Sequence, residues 1–204
     1  LNDEQGAAAG WLAGQAQWHE RAIYAMAEFG QMGALAQCFP QGFAPEFIAA
    51  ADSYDLPLSW LYAIARRESA YNPEARSRAN AYGLMQILPD TASYLAKRPI
   101  RSSKLKQPKY SLSPHPVLRT AAYNAGWRRV ESWLPQHEMP LDIWIETIPY
   151  KETREYTQAV IAYEHIYAHQ LQVESAFWEP WRAPYVSVDD LSATPSRASL
   201  SAQP

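Results

Sequence analysis

Apolar positions recur at helical spacing along most of this chain. Over residues 11–39 an alanine-rich stretch carries Trp18, Ile23, Met26, Phe29, Leu35 and Cys38. This predicts one helix or a broken pair, with Gly30 and Gly33 as weak points and Pro40 as the stop. Residues 44–52 predict a short helix with Phe47 and Ile48 inward, and 53–57 a turn. Residues 58–70 predict a strong helix with Leu61, Ile64 and Ala65 as its apolar stripe. Asn72-Pro73 ends it, because the residue before a proline avoids the helical region.

Residues 77–88 read as irregular, with Gly83 supplying backbone freedom. Pro89 suits the first position of a helix reaching Lys97. Residues 98–114 are basic, serine-rich and broken by prolines, and read as loop. Two compact helices come next, over 117–124, stopped near Gly126, and over 127–134. Thr147 and Pro149 open a long last helix that ends near Leu171. Residues 186–204 read as a disordered tail. No internal repeat and no run of β alternation appears, so the predicted fold class is all-α.

Composition narrows the class. A chain of 204 residues, 48% hydrophobic and 19% charged, is globular, with room for one catalytic-sized domain and extensions. A single cysteine, Cys38, excludes an intramolecular disulfide and a multi-cysteine zinc site. No apolar run approaches the roughly 18 residues that span a membrane. No signal peptide is visible, and residue 1 is Leu1 rather than methionine, so the sequence reads as a mature or excised piece. Charge is segregated: −6 over residues 1–60, +10 over 61–130 and −7 over 131–204. A basic middle attracts polyanions or pairs with the acidic flanks. No nucleic-acid-binding motif accompanies it, so no nucleic-acid partner is expected.

Three stretches carry candidate chemistry. Glu68 sits near the end of an apolar helix. There the negative end of the helix dipole and partial desolvation both raise a carboxyl pKa, as a general acid requires. The alternative is a solvated acid paired with Arg66 or Arg67. Gly83-Leu84-Met85-Gln86-Ile87 places one amide among apolar residues. Gln86 can bind a sugar hydroxyl or satisfy a core-facing turn. In Ala121-Ala122-Tyr123-Asn124-Ala125-Gly126, Tyr123 and Asn124 bring a hydroxyl and an amide to a helix end, either as ligand contacts or as a rim tyrosine and a helix stop.

The order of these motifs resembles the soluble lytic transglycosylases, peptidoglycan-cleaving enzymes related to goose-type lysozyme. The likeness is carried by Glu68-Ser69 with Tyr71-Asn72-Pro73, then Ser77, then Gly83 to Ile87, then the Tyr123-Asn124 motif. Ile145-Glu146-Thr147-Ile148-Pro149-Tyr150 and Glu152 to Tyr156 agree with the block before the family's last helix. The likeness covers roughly residues 18–170. It implies a lysozyme-like catalytic domain over 43–173, preceded over 1–42 by the end of an α-superhelical segment and followed over 174–204 by a flexible extension.

The resemblance also implies roles. Glu68 matches the single catalytic acid and base. Ser77 lies near the substrate N-acetyl group or that acid. Gln86 and Tyr123 contact sugar or position the acid, and Asn124 and Glu146 lie near the site. The implied reaction uses no cofactor and no metal. It cleaves the β-1,4 bond between N-acetylmuramic acid and N-acetylglucosamine and leaves a 1,6-anhydro sugar. The implied compartment is the bacterial periplasm, with peptidoglycan strands as substrate and other cell-wall enzymes as further candidate partners. Eight tryptophans and thirteen tyrosines suit a saccharide cleft or a core; Trp60, Tyr62 and Tyr163 read as core, and Trp127 as cleft.

Two departures stand out. Where the family continues Tyr-Asn-Ala-Gly with Pro-Gly-x-Val, this chain has Trp127-Arg128-Arg129-Val130. The family's Asn-Ile-x-x-Gly-x-x-Tyr-Leu segment is also missing between Lys97 and Thr120. It is deleted, replaced by the basic loop, or disordered and absent from this sequence; the intact flanking motifs favour the last. Three rival readings remain open: a hydrolytic muramidase, with Glu146 as second carboxylate; a catalytically impaired glycan-binding domain; and a polyanion-binding module using residues 97–129.

Overall fold

The computed structural model describes residues 2–96, 115–175, 177 and 185–188. The elements run α1 (Asp3–Gln15), α2 (His19–Glu28), α3 (Leu35–Cys38), α4 (Ala44–Tyr54), α5 (Leu58–Ser69), α6 (Pro89–Ala96), α7 (Pro116–Ala125), α8 (Trp127–Trp133), β1 (Met139–Pro140), α9 (Leu141–Thr147), α10 (Lys151–Leu171) and β2 (Tyr185–Val186). Among the described residues the fold is all-α apart from one antiparallel pair of two-residue strands, β1 with β2. Two compact units divide the chain: residues 1–99 with 163–173, and 100–162 with 174–204.

The first unit is organised by α5. All seven side chains from Ser59 to Ala65 are buried, not only the Leu61, Ile64 and Ala65 stripe. A helix apolar all round belongs at the centre of a core. Around it lies an aromatic cluster. Phe47 stands 5.1 Å from the Tyr62 ring, Tyr62 5.3 Å from Tyr167, and Tyr167 5.8 Å from Phe39. The buried hydroxyls are linked in sequence. Tyr71 donates to the Tyr167 hydroxyl at 3.0 Å, and Tyr167 donates to the Pro40 carbonyl at 3.1 Å. Burial pushes both phenols well above their ordinary pKa. Ser59 donates to fully buried Glu164 at 2.7 Å, tying α5 to the C-terminal part of α10.

Several local expectations change. The N-terminal helix starts at Asp3, capped by Asn2 and Gln5 in a reciprocal box. It breaks at Gln17, whose φ is +60°, as well as after Phe29. The two arms pack closely because Gly6 has no Cβ; one added there would run into the Phe29 ring. Ile48 is 46% exposed, since Phe47 and Ala51, one turn apart, form the inward face of α4. Trp18 points outward, at 67% exposure.

In the second unit, Gly126 with φ +86° separates α7 from α8. Trp144 is fully buried, and its indole N–H donates to the Trp133 carbonyl at 3.1 Å. The last helix begins at Lys151 rather than Pro149. Thr147 does not cap it: Thr147 ends α9 and donates to the Trp144 carbonyl at 2.7 Å. Arg154 serves that junction, donating to the Ile148 carbonyl at 2.9 Å. The basic loop and most of the C-terminal tail lie outside the described residues.

Candidate active site

Glu68 occupies the last turn of α5 and is half-buried. The helix stops abruptly after it. Ala70 and Tyr71 both take left-handed backbone, with φ of +49° and +63°. Such conformations cost non-glycine residues about 1–2 kcal/mol each. The buried Tyr71 hydroxyl, anchored on Tyr167, holds the chain there against that cost.

The irregular segment after the helix is closely tied to it. Ser69 donates to the Leu84 carbonyl at 2.9 Å. Tyr82 and Ile87 exchange backbone hydrogen bonds, each at 3.0 Å, and the Gly83 N–H donates to the Ala75 carbonyl at 2.9 Å. Gly83 at φ +74° is a position that glycine suits. Gln86 is also left-handed, at φ +47°. Its side-chain amide donates to the Gly83 carbonyl at 3.0 Å and the Ala75 carbonyl at 3.1 Å. Both amide hydrogens therefore hold the loop, and its Oε1 has no hydrogen bond among the described residues. The Ser77 hydroxyl accepts from the Ala81 N–H at 3.0 Å, which leaves its proton to be donated.

These bonds bring Glu68, Ser77 and Gln86 to one cavity of about 390 Å³. Glu20, Tyr24, Arg66, Arg76 and Tyr163 also line it. Arg66 is immobilised: its Nε donates to the Cys38 carbonyl at 2.7 Å, and its guanidinium lies 5.4 Å and 5.1 Å from the Phe39 and Tyr163 rings. Arg76 is held by Asn80, its Nη2 donating to Oδ1 at 2.6 Å. Tyr163, expected in the core, is half-buried and faces this cavity. Trp60 and Tyr62 are core residues as expected.

Tyr123, Asn124 and Glu146 belong to the second unit. Tyr123 is half-buried near the end of α7. Asn124 is clamped to α10, accepting from the Thr153 hydroxyl at 2.6 Å and donating to Glu152 at 3.4 Å. Glu146 is exposed; it accepts from Gln158 at 2.6 Å and lies 4.0 Å from Arg154. Sequence reasoning singles out neither Ser69 nor Glu20, which line this cavity, nor Asn72, which donates to Glu20. Ser69 and Asn72 stand within the quoted motif, whereas nothing in the local pattern marks Glu20.

Residues 45–114 match the transglycosylase SLT domain, and residues 147–175 match the soluble lytic transglycosylase helical domain. The first match runs through the basic loop and stops before Tyr123. A Haemophilus influenzae protein classed among the soluble lytic murein transglycosylases is 34% identical over 74% of this chain and 29% of its own length. The soluble lytic murein transglycosylase of Escherichia coli K12 is 31% identical over 75% of this chain and 27% of its own. Over its matched residues this chain belongs to the soluble lytic transglycosylase family. The family's solved structures agree in fold. An inactive glutamate-to-glutamine mutant of lytic transglycosylase Slt from Pseudomonas aeruginosa superposes with a TM-score of 0.78 at 31% identity, over 92% of this chain and 33% of that one. This chain thus spans no more than about a third of the length of these relatives.

Proposed function

We propose that this chain is a peptidoglycan lytic transglycosylase acting on the β-1,4 bond between N-acetylmuramic acid and N-acetylglucosamine. The observation that carries this reading is the single cavity lined by Glu68, Ser77 and Gln86, in a chain of this family. We assign the activity to residues 43–173, between the segment 1–42 and the extension 174–204. Peptidoglycan lies outside the bacterial inner membrane, so the periplasm is the proposed compartment. Among the described residues no helix is long and apolar enough to cross a membrane.

Glu68 in its protonated form gives its proton to the glycosidic oxygen as the C1–O bond breaks. The muramyl N-acetyl oxygen supports C1 from the opposite face. The Glu68 carboxylate then takes the proton of the C6 hydroxyl, and O6 bonds to C1. The proton count balances and no water enters. One carboxyl serves both steps because the substrate supplies the nucleophiles, unlike the two-carboxylate glycosidases. The Ser77 hydroxyl donates to, and Gln86 Oε1 accepts from, sugar or acetamido groups. Tyr123 is a further substrate-binding residue of this reading by its match to the family motif. Asn124 and Glu146 are carried into this reading as substrate-binding residues by their match to the family motif alone.

Mass spectrometry of products from purified peptidoglycan tests this, with Glu68→Gln alongside. Fragments ending in 1,6-anhydromuramic acid, lost in the variant, are expected. Fragments heavier by one water would replace this reading with a hydrolytic muramidase. A folded protein that binds glycan without cleaving it would leave a glycan-binding domain.

A further inference from the structure

The cavity around Glu68 takes part of its wall from a helix outside the matched transglycosylase domain. Glu20 and Tyr24, one turn apart on α2, line it, whereas the match begins at residue 45. Glu20 is held in place. One carboxylate oxygen accepts from Asn72 Nδ2 at 3.1 Å, and Asn72 is itself oriented because its Oδ1 accepts from the Glu74 N–H at 2.8 Å. The other oxygen of Glu20 makes no hydrogen bond among the described residues. Two of the cavity's guanidiniums are engaged elsewhere: Arg66 with Cys38, Phe39 and Tyr163, and Arg76 with Asn80.

An ionised carboxylate only accepts hydrogen bonds. A pyranose with an acetamido group presents several O–H and N–H donors. An acceptor already fixed by Asn72 loses little further freedom when such a donor arrives. Tyr24 is 58% exposed, so its ring is open to a sugar face beside that acceptor. Both residues also line a neighbouring cavity of about 1230 Å³, together with Trp18 and Phe43, so the aromatic surface continues beyond Glu20.

We propose that Glu20 is a substrate-binding residue of the Glu68 cavity, accepting a hydrogen bond from a saccharide O–H or N–H donor, with Tyr24 as its aromatic neighbour. The proposal rests on the reading of that cavity as the glycan-cleaving site.

The test is steady-state cleavage of soluble, uncrosslinked glycan strands by the full chain and its Glu20→Ala, Glu20→Gln, Asn72→Ala and Glu68→Gln variants. Losing one hydrogen bond to a charged acceptor should raise KM for Glu20→Ala about tenfold or more, with kcat changed less than about threefold. Glu20→Gln should fall between wild type and alanine, because an amide oxygen still accepts. An unchanged KM in folded Glu20→Ala overturns the proposal. So does a kcat loss matching that of Glu68→Gln, which would place Glu20 in the chemistry. A merely structural bond would show as the same KM rise in Asn72→Ala as in Glu20→Ala. Should Glu20→Ala not fold, calorimetry with a trimer of N-acetylglucosamine decides, comparing Glu68→Gln with the near-isosteric double variant Glu68→Gln/Glu20→Gln. Equal affinity of the two rejects the role, and severalfold weaker binding by the double variant supports it. Full activity of Glu68→Gln would instead sink the functional reading itself.

Discussion

The Ser69 hydroxyl donates to the Leu84 carbonyl at 2.9 Å, joining the end of α5 to the turn that carries Gln86. Glu68 is the residue before Ser69, so this bond ties the candidate acid to the loop whose Gln86 lines the same cavity. Ser69→Ala should lower stability by about 1–3 kcal/mol, the cost of leaving a part-buried carbonyl unpaired. Turnover should fall by more than the folded fraction does. Denaturant midpoints measured beside initial rates check this; equal losses in both would reduce Ser69 to a structural residue.

Glu68→Gln should keep the fold, because the exchange is nearly isosteric, and should lower kcat by about 10²–10⁴-fold. The check is circular dichroism together with anhydromuramyl product counts. Wild-type turnover in this variant would remove Glu68 from the chemistry.

Gln86 combines left-handed backbone with two side-chain donations to the loop. Gln86→Ala loses both bonds and keeps the conformational cost. Gln86→Gly loses the bonds but relieves that cost, because glycine adopts positive φ readily. The glycine variant should therefore unfold at higher urea than the alanine variant, by about 1 kcal/mol, with both impaired in substrate binding. The reverse order of midpoints would contradict this account of the loop.

The buried phenols make stability depend on alkaline pH. Tyr71 and Tyr167 have folded-state pKa values raised by burial above the unfolded value of about 10. A raised pKa means the folded state holds its protons longer. The resulting stability is complete below pH 10 and declines as pH rises beyond it, by up to about 1.4 kcal/mol per pH unit for each group. Urea midpoints at pH 9, 10 and 11 should fall progressively, and more shallowly in Tyr71→Phe. A midpoint flat through pH 11 would mean that these hydroxyls already titrate in the folded protein.

Much of the fold was legible locally. Helices 4, 5, 7 and 8 lie close to where the apolar spacing puts them, because each is stabilised by a face read directly at 3.6-residue period. The short α9 was not predicted at all; it lies between Pro140 and Pro149, and the last helix was expected to open only at Thr147 and Pro149. The β1–β2 pair was invisible for another reason: Met139 pairs with Val186, far along the chain. The N-terminal break was partly misplaced because Gln17, not a glycine, takes the left-handed turn.

The same division holds for the candidate site. The sequence alone singled out Glu68, Ser77 and Gln86 as candidates, because the order of their motifs within one short stretch is itself the signal. It also determined that Cys38 has no disulfide partner within this chain. Tertiary structure decided how those residues are used. It turned the Gln86 amide hydrogens onto backbone carbonyls and clamped Asn124 to Thr153 and Glu152. It also brought Glu20 to Asn72, more than fifty residues away in sequence. The physical reason is that helix periodicity and capping act over a few residues, whereas a hydrogen bond between distant segments forms only after the core has set their separation.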